Sequence, residues 1–364
     1  MLAGDHTPLF GLSALQAGQA RPIRVFALTT AGLETISAQE MAQIPGVTIL
    51  KSAYRCITAA RVGALAPLLA LRTVDDIFVQ AAIWTGIERQ RSALERLRAL
   101  SARLDLFPAL GQCAAVRSIP RVPHFSLSIS FVGKRNYTTD EMKAILAERI
   151  ASRHCWTYTP DDRLADVNVR VFLDHEQGMV GLRLAKQPLH ERSYRQAQIV
   201  GALKPSVAAA MARLAAVDAG TRVLDPCCGS GTLLIESALQ RAQVCGGDSD
   251  LAAVQAARLN CQAAGIAAAI QQWRAERLPL ASASVDRVIS NLPWGRQTRV
   301  DGPLATSYRQ ILAEARRVLA PGGRVALLTS APQEVETCGL ACLARLEISL
   351  FGQRPTILVL GDSR

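Results

Sequence analysis

The chain has 364 residues, 49% of them hydrophobic and 20% charged, which excludes both a single small module and a disordered chain and leaves room for two or three cores at about 150 residues per domain. Lys and Arg number 41 against 30 Asp and Glu, a formal net charge of +11, and an excess of this size points to a polyanionic partner, nucleic acid first, because each phosphate contact releases counterions. No apolar stretch approaches the roughly 18 to 20 residues that span a bilayer, so no membrane span is expected.

Residues 1–20 lack the basic start and continuous apolar run of a secretory signal and read as a flexible arm. From Arg24 the run RVFALT reads as a strand, followed by a helix from Leu33 to Met41, a strand ITAA (57–60), a helix near 62–71 and a strand IFVQAAIW (77–84). This alternation suggests a small α+β sandwich of ferredoxin-like type. A polar amphipathic helix follows over 88–104; its five arginines could grip phosphate or form a solvated face. A second unit runs from about Val116 to Arg195. FSLSISFVG (125–133) alternates as a half-buried strand should, a helix starts at Thr139, and 166–174 with 179–185 form a hairpin.

Pro205 can open the next helix. Beyond it, strands at 222–225, 243–248, 269–273, 286–295 and 324–329 alternate with helices at 232–241, 251–263 and 305–319. Strict alternation demands a parallel sheet covered on both faces. The last two apolar runs, LARLEISL and PTILVL, are close enough to pair antiparallel. Charge is shared unevenly: residues 1–200 carry 24 basic and 17 acidic side chains, the remainder 17 and 13. The front of the molecule is therefore the expected holder of the polyanion. Nine cysteines, none in a C-x-x-C pairing, read as free thiols in a reducing cytoplasm and supply no zinc pattern.

Three segments carry chemistry. Asp225, Pro226, Cys227, Cys228, Gly229, Ser230, Gly231 and Thr232 follow an apolar strand and precede a helix. The two glycines let the backbone turn tightly and approach a nucleotide-like cofactor. No Gly-Lys-Ser/Thr follows, so this is not a phosphate-binding P-loop. Asp248, 17 residues beyond Gly231 at the end of the next strand, suits a ribose diol, whereas Asp250 reads as a helix cap. Asn291, Leu292, Pro293, Trp294 and Gly295 end a further strand. There the Asn side-chain oxygen and the Leu292 carbonyl can accept both hydrogens of an exocyclic base amine while the indole stacks on the base.

These motifs, DPCCGSGT, GGDSD and NLPWG, resemble those of S-adenosylmethionine-dependent amino-methyltransferases. With SFVGKRNYTT and GALKPSVAAAMARLA, the chain from about Arg24 onward is similar to the THUMP-containing tRNA guanine N2-methyltransferases. The resemblance implies a ferredoxin-like domain (21–110), a THUMP RNA-binding domain (111–195) and a Rossmann-like methyltransferase domain (196–364) whose mostly parallel seven-stranded sheet carries a terminal antiparallel strand. It implies methylation of N2 of a guanosine in the tRNA acceptor stem, position 6, by a metal-independent monomer, with a 23S rRNA enzyme or a non-catalytic RNA-binding module as alternatives. A DNA adenine-N6 enzyme shares the Asn-Pro loop but not the THUMP-like segment. The expected cofactor residues are Lys204 and Pro205 at the methionine carboxylate, Asp225, Cys227, Gly229, Ser230, Gly231 and Thr232 in the turn, Asp248 and Ser249 at the ribose, Ala275 and Glu276 near the adenine, and Asn291. Arg274 stands where the family usually has an acidic residue for the adenine amine. Lys134, Arg135, Arg192 and Arg195 are the candidate RNA contacts.

Overall fold

The computed structural model describes residues 21–294 and 303–362; the arm expected over residues 1–20 and the Gly295 of the loop motif lie outside the described residues. The first unit consists of β1 (Ile23–Leu28), α1 (Glu34–Ala42), β2 (Val47–Ala53), β3 (Cys56–Arg61), a 3-10 turn over Ala66–Ala70 and β4 (Asp76–Trp84). Its strands lie in the order β2-β3-β1-β4 with antiparallel neighbours, an order compatible with a ferredoxin-like unit. The helix expected near 62–71 is reduced to that single turn: Gly63 takes φ +99° and Pro67 offers no N–H. Strand β2 escapes the sequence pattern because it is an edge strand with no buried side chain.

The second unit comprises α2 (Ala93–Ser101), α3 (Phe107–Ala114), β5 (His124–Phe131), α4 (Thr139–His154), β6 (Thr157–Tyr158), β7 (Val167–Asp174) and β8 (Gln177–Arg183). A capping box opens α4: the Glu141 N–H donates to Thr138 Oγ1 at 3.2 Å and the Thr138 N–H donates to the Glu141 carboxylate at 2.9 Å. Strand β8 pairs with both β4 and β7, so the two units share one eight-stranded sheet, β2-β3-β1-β4-β8-β7-β5-β6. The division expected at 110/111 falls inside α3. The larger apolar core lies against one face of this sheet, from Val25 and Ile57 through Leu97 and Ile145 to Val180, and a smaller cluster of Phe26, Leu28, Cys56, Phe78, Phe172 and Met179 forms from the alternate residues. Three arginines of α2 and its lead-in are held by protein partners: Arg91 pairs with Glu141, Arg98 with Glu95, and Arg96 donates to the Thr85 carbonyl.

The last unit runs α5 (Pro205–Leu214), β9 (Arg222–Asp225), α6 (Thr232–Ala238), β10 (Gln243–Asp248), α7 (Leu251–Ala263), β11 (Ala268–Gln272), β12 (Val285–Asn291), α8 (Leu304–Val318), β13 (Leu319–Thr329), β14 (Ala341–Glu347) and β15 (Thr356–Gly361). Its sheet has the order β11-β10-β9-β12-β13-β15-β14. Neighbours from β11 to β13 are parallel, and β15 runs antiparallel to both β13 and β14. Alternate residues serve opposite faces: Ile289, Ala326, Leu328 and Val359 face the core shared with α5, α6 and α7, while Val288, Val325, Leu327 and Leu360 pack with α8. Leu33 of the first unit is buried in the former core. The strand order reverses between β9, which leads outward to β10 and β11, and β12 on its other side. Ligands of open parallel sheets bind at such a switch point, beyond the carboxyl ends of the strands.

Candidate active site

Strands β9 and β12 are direct neighbours, with Leu224 opposite Val288, so the glycine turn after Asp225 and the loop after Asn291 emerge side by side. A side-chain bond fixes them together: Ser290 Oγ donates to Asp225 Oδ1 at 2.8 Å, and the same oxygen accepts the Cys227 N–H at 3.1 Å. Gly229 and Gly231 take φ +52° and +81°, the left-handed region that only glycine adopts without strain. Gly231 also packs against α7, where a Cβ would stand 3.2 Å from the Ala257 Cβ. Strand β10 closes the other flank. Its Asp248 carboxylate accepts the Gly229 N–H at 2.9 Å, and the Cys228 N–H donates to the Gly247 carbonyl at 2.9 Å. Trp273 backs this corner, its indole N–H on the Pro226 carbonyl at 3.0 Å. The indole lies so close to Gly247 that a Cβ there would come within 2.5 Å of the ring.

The end of β12 and the loop after it leave two polar atoms bare. Asn291 Oδ1 and Trp294 Nε1 are both buried and have no hydrogen-bond partner among the described residues. An acceptor left bare in this way carries a desolvation cost that a bound donor relieves. Leu292 anchors the loop between them, 1% exposed, its N–H on the Leu328 carbonyl at 3.0 Å. The Pro293 carbonyl accepts the Tyr308 hydroxyl at 2.8 Å, and that hydroxyl also meets Thr329 Oγ1 at 3.0 Å. Tyr308 is fully buried on α8. Tyr308→Phe keeps the ring and frees the carbonyl; turnover is expected to fall by roughly 5- to 30-fold, the worth of one to two buried hydrogen bonds, with KM for RNA and cofactor affinity unchanged. Steady-state kinetics with isothermal titration checks this.

Burial pushes the Asp225 carboxyl up to about 7, against the opposing hydrogen bonds from Ser290 and Cys227. Its folded-state value thus exceeds the unfolded one, so its contribution to stability is complete below about pH 4 and is lost as pH rises through about 7. Asp225→Asn removes this titration. The melting temperature of that variant minus that of the parent is expected to grow between about pH 4 and pH 7 and to level off above about pH 8; a difference independent of pH would mean a carboxylate ionised throughout. Burial first, and then the Asp225 and Asp248 carboxylates, also raise the Cys227 and Cys228 thiols. Both stay protonated, which removes them as nucleophiles.

Near the expected adenine position, Ala275 is buried and Glu276 Oε2 lies 3.6 Å from Arg274 Nε, with Ser307 Oγ donating to Glu276 Oε1 at 3.4 Å. A carboxylate thus stands two residues after Arg274, in contact with that guanidinium and with Ser307. Ser230 and Thr232 are buried in the turn and Ser249 is exposed beside Asp248. Asp250 caps α7 as expected, accepting the Ala252 N–H at 2.9 Å.

Three expected contacts need correction. Lys204 is not a free cation for a cofactor carboxylate: its ammonium lies 2.7 Å from Asp75 Oδ2 in the first unit, while Pro205 starts α5. Arg192 is not an RNA contact. It is buried against Glu236, 3.3 Å away, and donates to the Arg72 carbonyl at 2.8 Å. Arg135 is spent in the same way, on the Ile87, Glu88 and His175 carbonyls and the Tyr137 hydroxyl. In each case spacing reveals a cation but not the carboxylate or carbonyl that folding brings to it. Lys134 is exposed and Arg195 half-buried. Pattern reading missed Glu236, Asn260 and Tyr308; for the first two the available signal was a polar residue within a buried helical face.

Known proteins share both sequence and fold with this chain. Residues 192–345 match the family described as UPF0020, RMKL-like, methyltransferase domain. A tRNA (guanine(6)-N2)-methyltransferase from Thermus thermophilus is 34% identical over 248 residues, 66% of this chain and 72% of the relative. The chain belongs to the THUMP-type, S-adenosylmethionine-dependent RNA guanine-N2 methyltransferases. The crystal structure of TrmN from Thermus thermophilus superposes with a TM-score of 0.77 at 26% identity, covering 94% of this chain and 100% of that one. The mouse U6 snRNA (guanine-N(2))-methyltransferase THUMPD2 is 36% identical over 173 residues, 46% of this chain, which spans about a third of that relative (31%). A methyltransferase structure complexed with SAH, SMU.472, shares the fold with a TM-score of 0.73 at 16% identity. Among the described residues no helix is long and apolar enough to cross a membrane, and no cluster of three or more His, Cys, Asp or Glu could hold a metal.

Proposed function

We propose that this methyltransferase modifies N2 of a guanosine in tRNA, in the acceptor stem at position 6. The observation that carries the chemistry is the bare, buried Asn291 Oδ1 at the strand end beside the glycine turn. The assignment of tRNA is supported by the Thermus relative and by the likeness to TrmN along 94% of the chain.

The residues fit S-adenosylmethionine. Gly229 and Gly231 leave room for its methionine part, Asp225, Cys227, Ser230 and Thr232 shape the turn, the Asp248 carboxylate receives the ribose hydroxyls beside Ser249, and Ala275 and Glu276 border the adenine. When bound, the cofactor supplies an electrophilic methyl on its sulfonium. The chain's own part is to hold the amine. A guanine amine is a poor nucleophile because its lone pair is delocalised into the ring. Two acceptors, Asn291 Oδ1 and the Leu292 carbonyl, draw its hydrogens away from the ring plane and turn the lone pair toward the methyl carbon. Trp294 stacks on the base once it has left its helix. Lys134 and Arg195 remain as phosphate contacts from the RNA-holding part.

The chain acts as a cytoplasmic monomer. The free state of all nine cysteines suits that compartment, and buried ion pairs already join the RNA-holding sheet to the catalytic unit within one chain. The test is incubation with methyl-labelled cofactor and separate pools of unmodified tRNA, ribosomal RNA and DNA, followed by digestion to nucleosides. Labelled N2-methylguanosine from tRNA is the expected product. Label confined to ribosomal RNA, or carried on adenosine, would overturn the assignment.

A further inference from the structure

Between the hairpin β7–β8 and helix α5 the chain crosses the catalytic unit without regular structure over residues 195–203. Both ends are fixed. At the near end the Tyr194 hydroxyl donates to Glu236 at 2.8 Å and Arg192 pairs with the same carboxylate; at the far end Lys204 pairs with Asp75 and Pro205 begins α5. In the middle, Gly201 takes φ +79° and the Ala202 N–H donates to the Ile199 carbonyl at 3.2 Å, a tight turn with Val200 78% exposed at its tip.

One side chain of the catalytic unit fastens this crossing. Asn260, on α7 and 1% exposed, accepts the Ala197 N–H at 2.9 Å and donates through its Nδ2 to the Ala197 carbonyl and the Ser230 carbonyl, each at 2.9 Å. The amide thus reads both backbone groups of one residue in the crossing and one carbonyl of the glycine turn. It holds the two main chains at a set distance. Ile199 follows two residues after that clamp, and its Cδ1 would be 3.3 Å from a Cβ on Gly229, so the crossing lies on the turn itself.

We propose that residues 196–203 form a strap over the methionine end of the cofactor pocket, with Asn260 as the positioning residue that keeps it closed on the turn. The proposal rests on the assignment of the glycine turn to the cofactor. No group of Asn260 is directed to the reacting atoms; its effect passes through Ala197 and Ser230. Because Gly229 faces the methionine part and Asp248 the ribose, a loosened strap weakens contacts to one half of the cofactor and spares the other.

The experiment is isothermal titration of the whole protein with two probes: S-adenosylhomocysteine, which carries the amino-acid tail, and 5′-methylthioadenosine, which lacks it. In Asn260→Ala the Kd for S-adenosylhomocysteine is expected to rise roughly tenfold or more, the effect of freeing three buried hydrogen bonds, while that for methylthioadenosine moves by less than about twofold. Ile199→Ala loosens the strap without touching α7 and is expected to show the same split, which keeps the idea testable if Asn260→Ala folds poorly. Equal losses for both probes would make Asn260 a general support of the fold and overturn the proposal, as would unchanged S-adenosylhomocysteine affinity in both variants. A parent protein that binds neither probe would instead overturn the cofactor assignment.

Discussion

Replacing Asn291 by Ala is expected to lower turnover on RNA by about 2 to 4 kcal/mol of transition-state stabilisation, roughly 30- to 1000-fold, as for other positioned polar groups. S-adenosylmethionine affinity should persist, because the turn and Asp248 are untouched. The residue stands at the C-terminal end of β12, opposite Leu328 of β13, so the strand holds its backbone in place when the side chain is cut back. Its Oδ1 has no partner among the described residues, so truncation breaks no visible structural bond and the melting temperature should hardly change. A loss of activity with stability retained would separate a chemical role from a packing role. Single-turnover rates, with thermal melts alongside, make that separation. Asn291→Asp sharpens it: an acceptor is kept but a negative charge is added, and the pH profile should then acquire a carboxylate titration that the parent lacks.

The second large effect is expected far from the reacting atoms. Glu236, in α6 just beyond the glycine turn, is fully buried; it takes a two-pronged contact from Arg72 at 2.7 and 2.8 Å, the Arg192 guanidinium at 3.3 Å and the Tyr194 hydroxyl. These partners come from the first unit and the linker, so the cluster bolts the N-terminal part to the helix that follows the glycine turn. Removing the carboxylate strands the Arg192 charge, which is 8% exposed, with no counter-ion. Glu236→Ala should therefore cost about 3 to 5 kcal/mol of stability, read from the urea midpoint. Glu347→Ala breaks the exposed pair with Arg354 and should cost no more than about 1 kcal/mol. If the two variants proved equally stable, Glu236 would not be the interdomain bolt described here. Joint replacement of Glu236, Arg72 and Arg192 by apolar residues of similar size should recover much of the loss, since no buried charge is then left unpaired.

Legibility from sequence followed the source of each signal. The seven-stranded sheet, its antiparallel end and the bounds of α7 could be read because strands buried on both faces and amphipathic helices imprint periodic apolar runs. The side-by-side placement of the glycine turn and the Asn291 loop could be read because each follows an apolar strand in the strict alternation with helices. What could not be read was the identity of partners brought together from distant sequence. Lys204 and Arg192 look like free cations until folding places Asp75 and Glu236 beside them. Strand β2 stays hidden because an exposed edge strand imprints no alternation, and the helix near 62–71 was overruled by Gly63 and Pro67. Asn260 and Tyr308 sit inside apolar helical faces, where pattern reading takes them as core and their hydrogen bonds appear only in three dimensions.

In the function proposed above, the glycine turn after β9 and the asparagine loop after β12 hold cofactor and base amine at one rim. A crystal structure with S-adenosylhomocysteine and a guanosine-bearing acceptor-stem RNA tests it most directly. The ribose hydroxyls are expected on the Asp248 carboxylate, the sulfur over Gly229, and the guanine amine bonded to Asn291 Oδ1 on the side facing that sulfur. A cofactor bound elsewhere, or a guanine whose amine points away from Asn291 while the sulfur lies over the turn, would contradict it.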